Sequence, residues 1–454
     1  MKRFLKEENR GDLNMIKKSL IVSTAMLVAL TTACSSKQGA EGTSSDGNQK
    51  QGVSNEPVEL VLYSTSATSE EEIKQKFSDP IKAKFPNITI KYIKKGTGTT
   101  IDEMVASGQT IDLFYESTNY FYTVDKYGLA YDMSDLIKKN NIDLSAFEPT
   151  MIDFAKNMSK NGIYGLPVSS MNVILFYNKD IFDKFGVPYP KNDMTWEELA
   201  QVANTLTRAD GDKQYLGFAA SPAHTIKANQ LGLNFLDAKT DKPTINTDEK
   251  WKQLYQTYYI NTANNPGYKK AMVGLKNKLP YKDPFLKDRN LAMIAYLSDL
   301  DWAAAGSEGM NWDIAALPTF KELPKIGSQA YPFYWGVTQQ SKHKEEAMQV
   351  IQYLTSVEYQ TKQVRNGTMT VLKDDAIKKQ FAQDSKYKDK NTSALFYNQY
   401  APMPVRSAYE GEAQKAYEDA IHEAALGDTD INSLFRKIEE TANKAVDAAK
   451  AKTK

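Results

Sequence analysis

The sequence predicts an α/β protein, and three observations carry that class. Apolar runs of strand length alternate with amphipathic helical stretches from Val58 onward. Such a βαβ rhythm implies a mainly parallel sheet with helices on both faces. One unbroken stretch, residues 161–208, reads as strand, short helix, turn and second helix. Finally, about 400 residues follow Pro57 and none is a cysteine. That length is enough for two separate apolar cores, and its stability has to come from burial rather than disulfides.

The N-terminal region stands apart from this pattern. Lys17 and Lys18 precede an apolar run over 19–30, then small residues lead to Cys34, the only cysteine in the chain. Basic, apolar and small segments in that order make residues 1–33 a secretory signal peptide. The run is shorter than the roughly 20 residues a membrane-spanning helix needs. Residues 1–14 sit poorly before such a signal, and Met15-Ile16-Lys17-Lys18 is a more usual start, so Met15 is the expected initiator. The segment resembles a bacterial lipoprotein signal, which implies a lipid on Cys34. Thr31 stands where the usual motif has Leu, with Leu30 one step earlier. Residues 34–56 are Gly, Ser, Gln and Asn with almost no apolar side chain, and read as a flexible tether.

From there the elements follow in order. A strand is predicted over 58–63 and an amphipathic helix over 70–85, with Ile73, Phe77, Ile81 and Phe85 at helical spacing. Strands at 88–93 and 111–115 flank a helix at 100–107, and helices follow at 119–127 and 134–140. In open α/β sheets ligands bind beyond the carboxyl ends of the strands, which here are Tyr63-Ser64-Thr65 and Tyr115-Glu116-Ser117. A short apolar piece at 163–168 is ended by Pro167, and residues 173–178, rich in β-branched and aromatic side chains, form the next strand. Asp180 is placed to cap a helix over 181–185 that Gly186 ends. Thr195 caps the following helix with Glu198 at the capping-box position, Leu199, Val202, Ala203 and Leu206 form its buried stripe, and Trp196 packs rather than binds. Asp210-Gly211-Asp212 is a plain turn, because the downstream ligands of a calcium loop are missing. Residues 213–290 read as helical and polar, clearest at 251–260. A helix is expected from 341 to 360, and terminal helices follow with Leu434, Ile438, Ala442 and Val446 on one stripe.

Within 161–208 the order Tyr-Gly-Leu-Pro, an apolar strand ending Phe-Tyr-Asn-Lys-Asp, Phe-x-x-x-Gly, Pro, Thr-Trp-Glu-Glu-Leu, Ala, Leu-Thr resembles the extracellular solute-binding proteins of the maltose-binding-like class. The Ala-Met strand from Leu291 to Trp302, the Leu-Pro at 317–318 and the segment at 327–338 extend the resemblance over roughly 57–450. It implies a two-lobe fold of the periplasmic-binding-protein kind with three hinge crossings, near 168, 330 and 370–372. One lobe would hold residues 57–168 and 330–370, the other 169–329 and 371–450. It further implies a monomeric receptor, lipid-anchored on the extracellular face of the cytoplasmic membrane. Such a receptor closes on a solute, commonly a carbohydrate, and hands it to the permease subunits of an ATP-binding-cassette importer. The ligand candidates at sheet ends and crossings are Tyr63, Ser64, Tyr115, Glu116, Ser117, Asn172, Trp302, Arg406 and Tyr409, with either Tyr334 or Trp335, since neighbours in a strand face opposite ways. Trp302 is the aromatic that the resemblance turns toward the ligand, and Arg406, if it faces the cleft, would favour an acidic one.

Composition narrows the alternatives. The 57 basic and 56 acidic residues balance, without the basic stripe that nucleic acid requires. Abundant aromatics (26 Tyr, 18 Phe, 5 Trp) suit a protein that stacks on sugars. His224, His343 and His422 lack metal-ligand spacing, so no metal or cofactor is expected. A secreted polysaccharide-acting enzyme is the rival class, with Glu116 and Asp301 as the carboxylates nearest to acid–base work. A binding protein serving a membrane sensor is a third reading.

Overall fold

The computed structural model describes residues 56–453 apart from 67, 161 and 277. The signal peptide, Cys34 and all but the last residue of the tether lie outside the described residues. The strands, in chain order, are β1 (Val58–Ser64), β2 (Ile88–Lys94), β3 (Leu113–Glu116), β4 (Leu166–Met171), β5 (Val173–Asn178), β6 (Ala209–Asp210), β7 (Lys213–Gln214), β8 (Leu216–Ala220), β9 (Leu291–Leu297), β10 (Trp312–Ala315), β11 (Ile326–Gln329), β12 (Tyr331–Val337) and β13 (Gln399–Ala401).

Two sheets organise the chain. The first runs β2-β1-β3-β12-β4, and the second β10-β5-β9-β8. β1 is parallel to β2 and β3, whereas β12 is antiparallel to both β3 and β4. In the second sheet only the β8–β9 pair is parallel. The expectation of a mainly parallel sheet therefore holds only for the opening βαβ units and for the β8–β9 pair. The reason is connectivity: β4 passes into β5 across the single residue Asn172, and β11 into β12 across Ala330. A strand that enters a sheet from the neighbouring one needs no helical crossover to set its direction.

Local sequence signals set most element ends. Thr100 and Thr195 each complete a capping box, with Glu103 and Glu198 reaching back to the cap. Asn178, not Asp180, caps the helix Lys179–Phe185: its side chain accepts from the Asp180 N–H. Gly186 ends that helix at φ 63°. The predicted helix over 70–85 is continuous but changes winding, from Glu70–Ile73 through a π-turn at Lys74–Ser78 to Asp79–Lys84. Pro167 lies inside β4 instead of ending an apolar piece, and Asp210-Gly211-Asp212 turns the β6–β7 hairpin. The predicted helix 341–360 is two, Lys344–Leu354 and Val357–Arg365, the second capped by Ser356. β8 was not anticipated within 213–290; its LGFAA sequence is fully buried but poor in β-branched residues.

Beyond residues 370–372 the chain keeps hydrogen bonds to the first half. Val371 accepts from the Glu148 N–H, and the Asp384 N–H still bonds Arg365. Met369 already accepts from the Ser298 hydroxyl, Tyr387 donates to Asp301 and packs against Trp312 at 6.3 Å, and Lys390 and Asn391 then bond the Trp312 carbonyl and the Asp313 carboxylate. The C-terminal helices pack on this second half. Tyr417 packs against the stacked pair Phe235 and Trp251, its ring centroid 4.9 Å from each, and Leu434, Ile438, Ala442 and Val446 are all buried.

Candidate ligand-binding cleft

A cleft of about 720 Å³ opens between the two sheets. Its floor comes from the carboxyl ends of β3 (Tyr115, Glu116) and β9 (Leu297, then Ser298 and Asp299) and from β4 and β12. The π-turn supplies Gln75, Lys76 and Phe77 to one wall, and the helix Val357–Arg365 supplies Tyr359, Lys362 and Gln363. This is the position expected for a ligand in α/β sheets, and its volume falls within the roughly 300–1,000 Å³ usual for small-molecule sites.

Aromatic faces form one part of the lining. Tyr115 and Phe333 stack with centroids 5.4 Å apart and planes 28° from parallel, and Tyr331 meets Phe333 edge-on at 5.7 Å. Tyr331 also contacts His224 at 6.2 Å; behind it, Tyr296 and Trp302 stack at 4.1 Å. Burial holds His224 neutral, lowering it to about 4, with Lys227 and Lys282 pushing the same way.

Carboxylates form the other part. Glu116 is 6% exposed; one carboxylate oxygen accepts from the Ser117 N–H at 2.8 Å and the other, Oε2, has no partner. Burial pushes its carboxyl above the ordinary range, outweighing the Ser117 N–H, the field of Lys227, the Ser117 hydroxyl and the Thr65 N–H. Asp299 is open to cleft water and accepts from the Trp302 N–H at 3.0 Å. The walls around it nevertheless desolvate it and raise its carboxyl, more than Lys76 lowers it. Asp301 accepts from Tyr387 at 2.5 Å. Glu72 and Lys76 pair at 2.8 Å along the helix.

Of the candidates read from sequence, the cleft brings together Tyr115, Glu116 and Ser117. The others lie elsewhere. Tyr63 is wholly buried in the core, its hydroxyl on the Thr99 carbonyl, and Ser64 bonds Ser66, which does line the cleft. Neither Tyr334 nor Trp335 faces the cleft: the first donates to the Met151 carbonyl and the second packs on Phe77 at 5.1 Å. Asn172 is held at the β4–β5 passage by the Leu395 carbonyl. Trp302 stands behind the lining, against Tyr296 and Phe285. Arg406 is buried behind the cleft, donating to Thr118 and Gln329, and Tyr409 lies under Lys450. Asp299, Tyr331, Phe333, Tyr387 and the Glu72–Lys76 pair were not anticipated. Asp299 lies two residues beyond the carboxyl end of β9, the same kind of position that pointed to Glu116.

Fold and cleft together match known proteins. The chain belongs to the bacterial extracellular solute-binding proteins, a family that matches it over residues 66–361. YcjN of Escherichia coli, assigned by name to the periplasmic-binding proteins of ABC transporters, is 25% identical over 211 residues, 44% of this chain and 46% of its own. Among solved structures, a sugar transporter of Rhizobium etli in an open conformation superposes with a TM-score of 0.67 at 19% identity, covering 85% of this chain and 99% of that one. An ABC substrate-binding protein of Listeria monocytogenes in complex with cycloalternan gives 0.67 at 21% identity, covering 86% and 99%. The two-lobe fold is thus that of this class. Among the described residues no helix is long and apolar enough to cross a membrane.

Proposed function

We propose that this chain is a carbohydrate receptor of an ABC importer, tethered through Cys34 to the outer face of the cytoplasmic membrane and acting as a monomer with the permease subunits as its partners. The observation that carries the reading is the pairing of stacked rings, Tyr115 on Phe333, with the buried Glu116 carboxylate whose Oε2 lacks a partner, in one cleft between two sheets. Flat aromatic faces suit the C–H face of a pyranose, and an unpaired buried acceptor calls for a ligand hydroxyl, because leaving it unmade costs about 1–3 kcal/mol. The volume exceeds what a single pyranose needs, which favours an oligosaccharide. The saccharide complexes among the structural neighbours support the same class. We take the lobes as residues 57–168 with 330 to about 384, and 169–329 with the remainder to 450.

The enzyme reading has less support. Ser221 lies 2.8 Å from His224 Nδ1, but Ser221 is wholly buried and also shared with Tyr281, so it cannot meet a substrate. Titration calorimetry of the purified protein against neutral oligosaccharides, with chromatography of the ligand afterwards, tests the proposal. Saturable binding with the sugar recovered intact is expected. Turnover, or no binding across maltose-, mannose-, galactose- and glucose-linked series, would overturn it.

A further inference from the structure

Four carboxylates line the cleft, Glu72, Glu116, Asp299 and Asp301, against two lysines, Lys76 and Lys362. The carboxylates come from both halves of the molecule: Glu72 and Glu116 flank the first sheet, Asp299 and Asp301 follow β9 of the second. Lys76 is already engaged by Glu72 at 2.8 Å, Asp301 is met by Lys386 at 3.6 Å, and Lys362 is exposed on the helix Val357–Arg365, so Glu116 and Asp299 carry the acidic excess. Among the described residues no arginine lines the cleft. Arg406, the one guanidinium that sequence reasoning offered to an acidic ligand, is spent behind it on Thr118 and Gln329.

Glu116 makes the imbalance specific. Its Oε2 is buried, has no hydrogen-bond partner and belongs to a cleft-lining residue. Lys227 reaches it by field alone, from its place over the Tyr331 ring. An ionised carboxylate only accepts hydrogen bonds, so this oxygen needs a donor. A hydroxyl or an ammonium supplies one. A uronate or phosphate brings further acceptors and a like charge into a site where closure removes the screening water. Arginine forks are over-represented where carboxylate or phosphate is held bidentately, and among the described residues none lines this cleft.

We propose that the cleft is a charge filter: Glu116 from one lobe and Asp299 from the other restrict its ligands to uncharged or amino-bearing saccharides and exclude uronates and phosphorylated sugars. This rests on the saccharide reading above and narrows it. The test is calorimetric titration with matched pairs, galactotriose against trigalacturonate and mannotriose against trimannuronate, with a glucosamine trimer alongside. It is repeated on Glu116→Gln and Asp299→Asn, and the unliganded melting midpoint of each variant confirms folding. Both changes keep shape, and Asn still caps the helix that begins at Leu300. The uronate member is expected to bind at least about tenfold more weakly than its neutral partner, with the gap narrowing severalfold in each variant. Equal or tighter uronate binding overturns the filter while leaving the saccharide reading in place. A gap unchanged in both variants overturns the assignment to these two carboxylates. No binding of any member removes the saccharide reading, and the filter with it.

Discussion

Glu410 shows how a single buried group ties this fold to pH. It opens the helix Glu410–Asp419, is 5% exposed, and accepts from the Phe235 N–H at 2.6 Å and the Leu236 N–H at 3.2 Å. Burial raises its carboxyl from 4.5 to about 7, against the pull of Arg406 and those two N–H groups. The folded protein therefore holds this proton more tightly than the unfolded chain does. The resulting stability is complete below about pH 4.5 and is lost as pH rises to about 7. Glu410→Gln stays neutral throughout. The melting stability of the natural protein relative to this variant is expected to fall by about 3 kcal/mol between pH 4.5 and pH 8. A difference that does not change with pH would show that the burial does not act through ionisation. Position also explains which cleft residues were legible. Tyr115, Glu116 and Ser117 follow from the rule that ligands meet strand ends, a local fact. Glu72 and Lys76 do not, because which side of an amphipathic helix borders a cleft depends on the second half of the molecule, and Arg406 was misplaced for the same reason.

At the scale of elements, signals that act within one turn were legible, and those that depend on a neighbour were not. The Thr195–Glu198 capping box, the glycine stop at Gly186 and the terminal stripe all follow from spacing. β8 is the counterexample. Gly217 and two alanines give it little strand propensity, yet every residue of it is buried between β9 and the helix Trp196–Leu206. The absence of a side chain at Gly217 is what allows the approach: a Cβ there would overlap the backbone of Ala203 in that helix. Thr207 adds a hydroxyl that receives the Gly217 N–H at 2.9 Å. Gly217→Ala is expected to push helix and strand apart and to destabilise the fold by about 1–3 kcal/mol, the usual range for overpacking. Chemical denaturation measures it. An unchanged midpoint would mean that the helix yields freely, and that the close packing is not what keeps this short strand in the sheet.

For the whole molecule, the chain passes between the halves at Asn172, at Ala330 and by the stretch between Asp384 and Lys390, and these are the places where one half is expected to turn on the other. Two of these are single residues between strands, so bending has to be absorbed by very few dihedrals, as in hinge closure. The aromatic and acidic groups of the cleft come from both halves, so a ligand bridging Tyr115 and Glu116 to Asp299 gains contacts only when the halves approach. A ligand that binds one state better shifts the population toward it by that difference in affinity. Arg406 sits on the opposite side of this motion. Its guanidinium reaches Thr118, just beyond β3, Gln329 at the end of β11, and the Lys227 carbonyl in the second half. Closure at the front is expected to strain or remake that set behind. Small-angle scattering on the natural protein is expected to show a smaller radius of gyration with a bound neutral oligosaccharide than without. Arg406→Met, which keeps much of the packing over Phe154 but removes the hydrogen bonds, should change the unliganded radius and the affinity together. If affinity changes while the radius with and without ligand stays as in the natural protein, Arg406 acts on the cleft locally, and the two halves are not coupled through it.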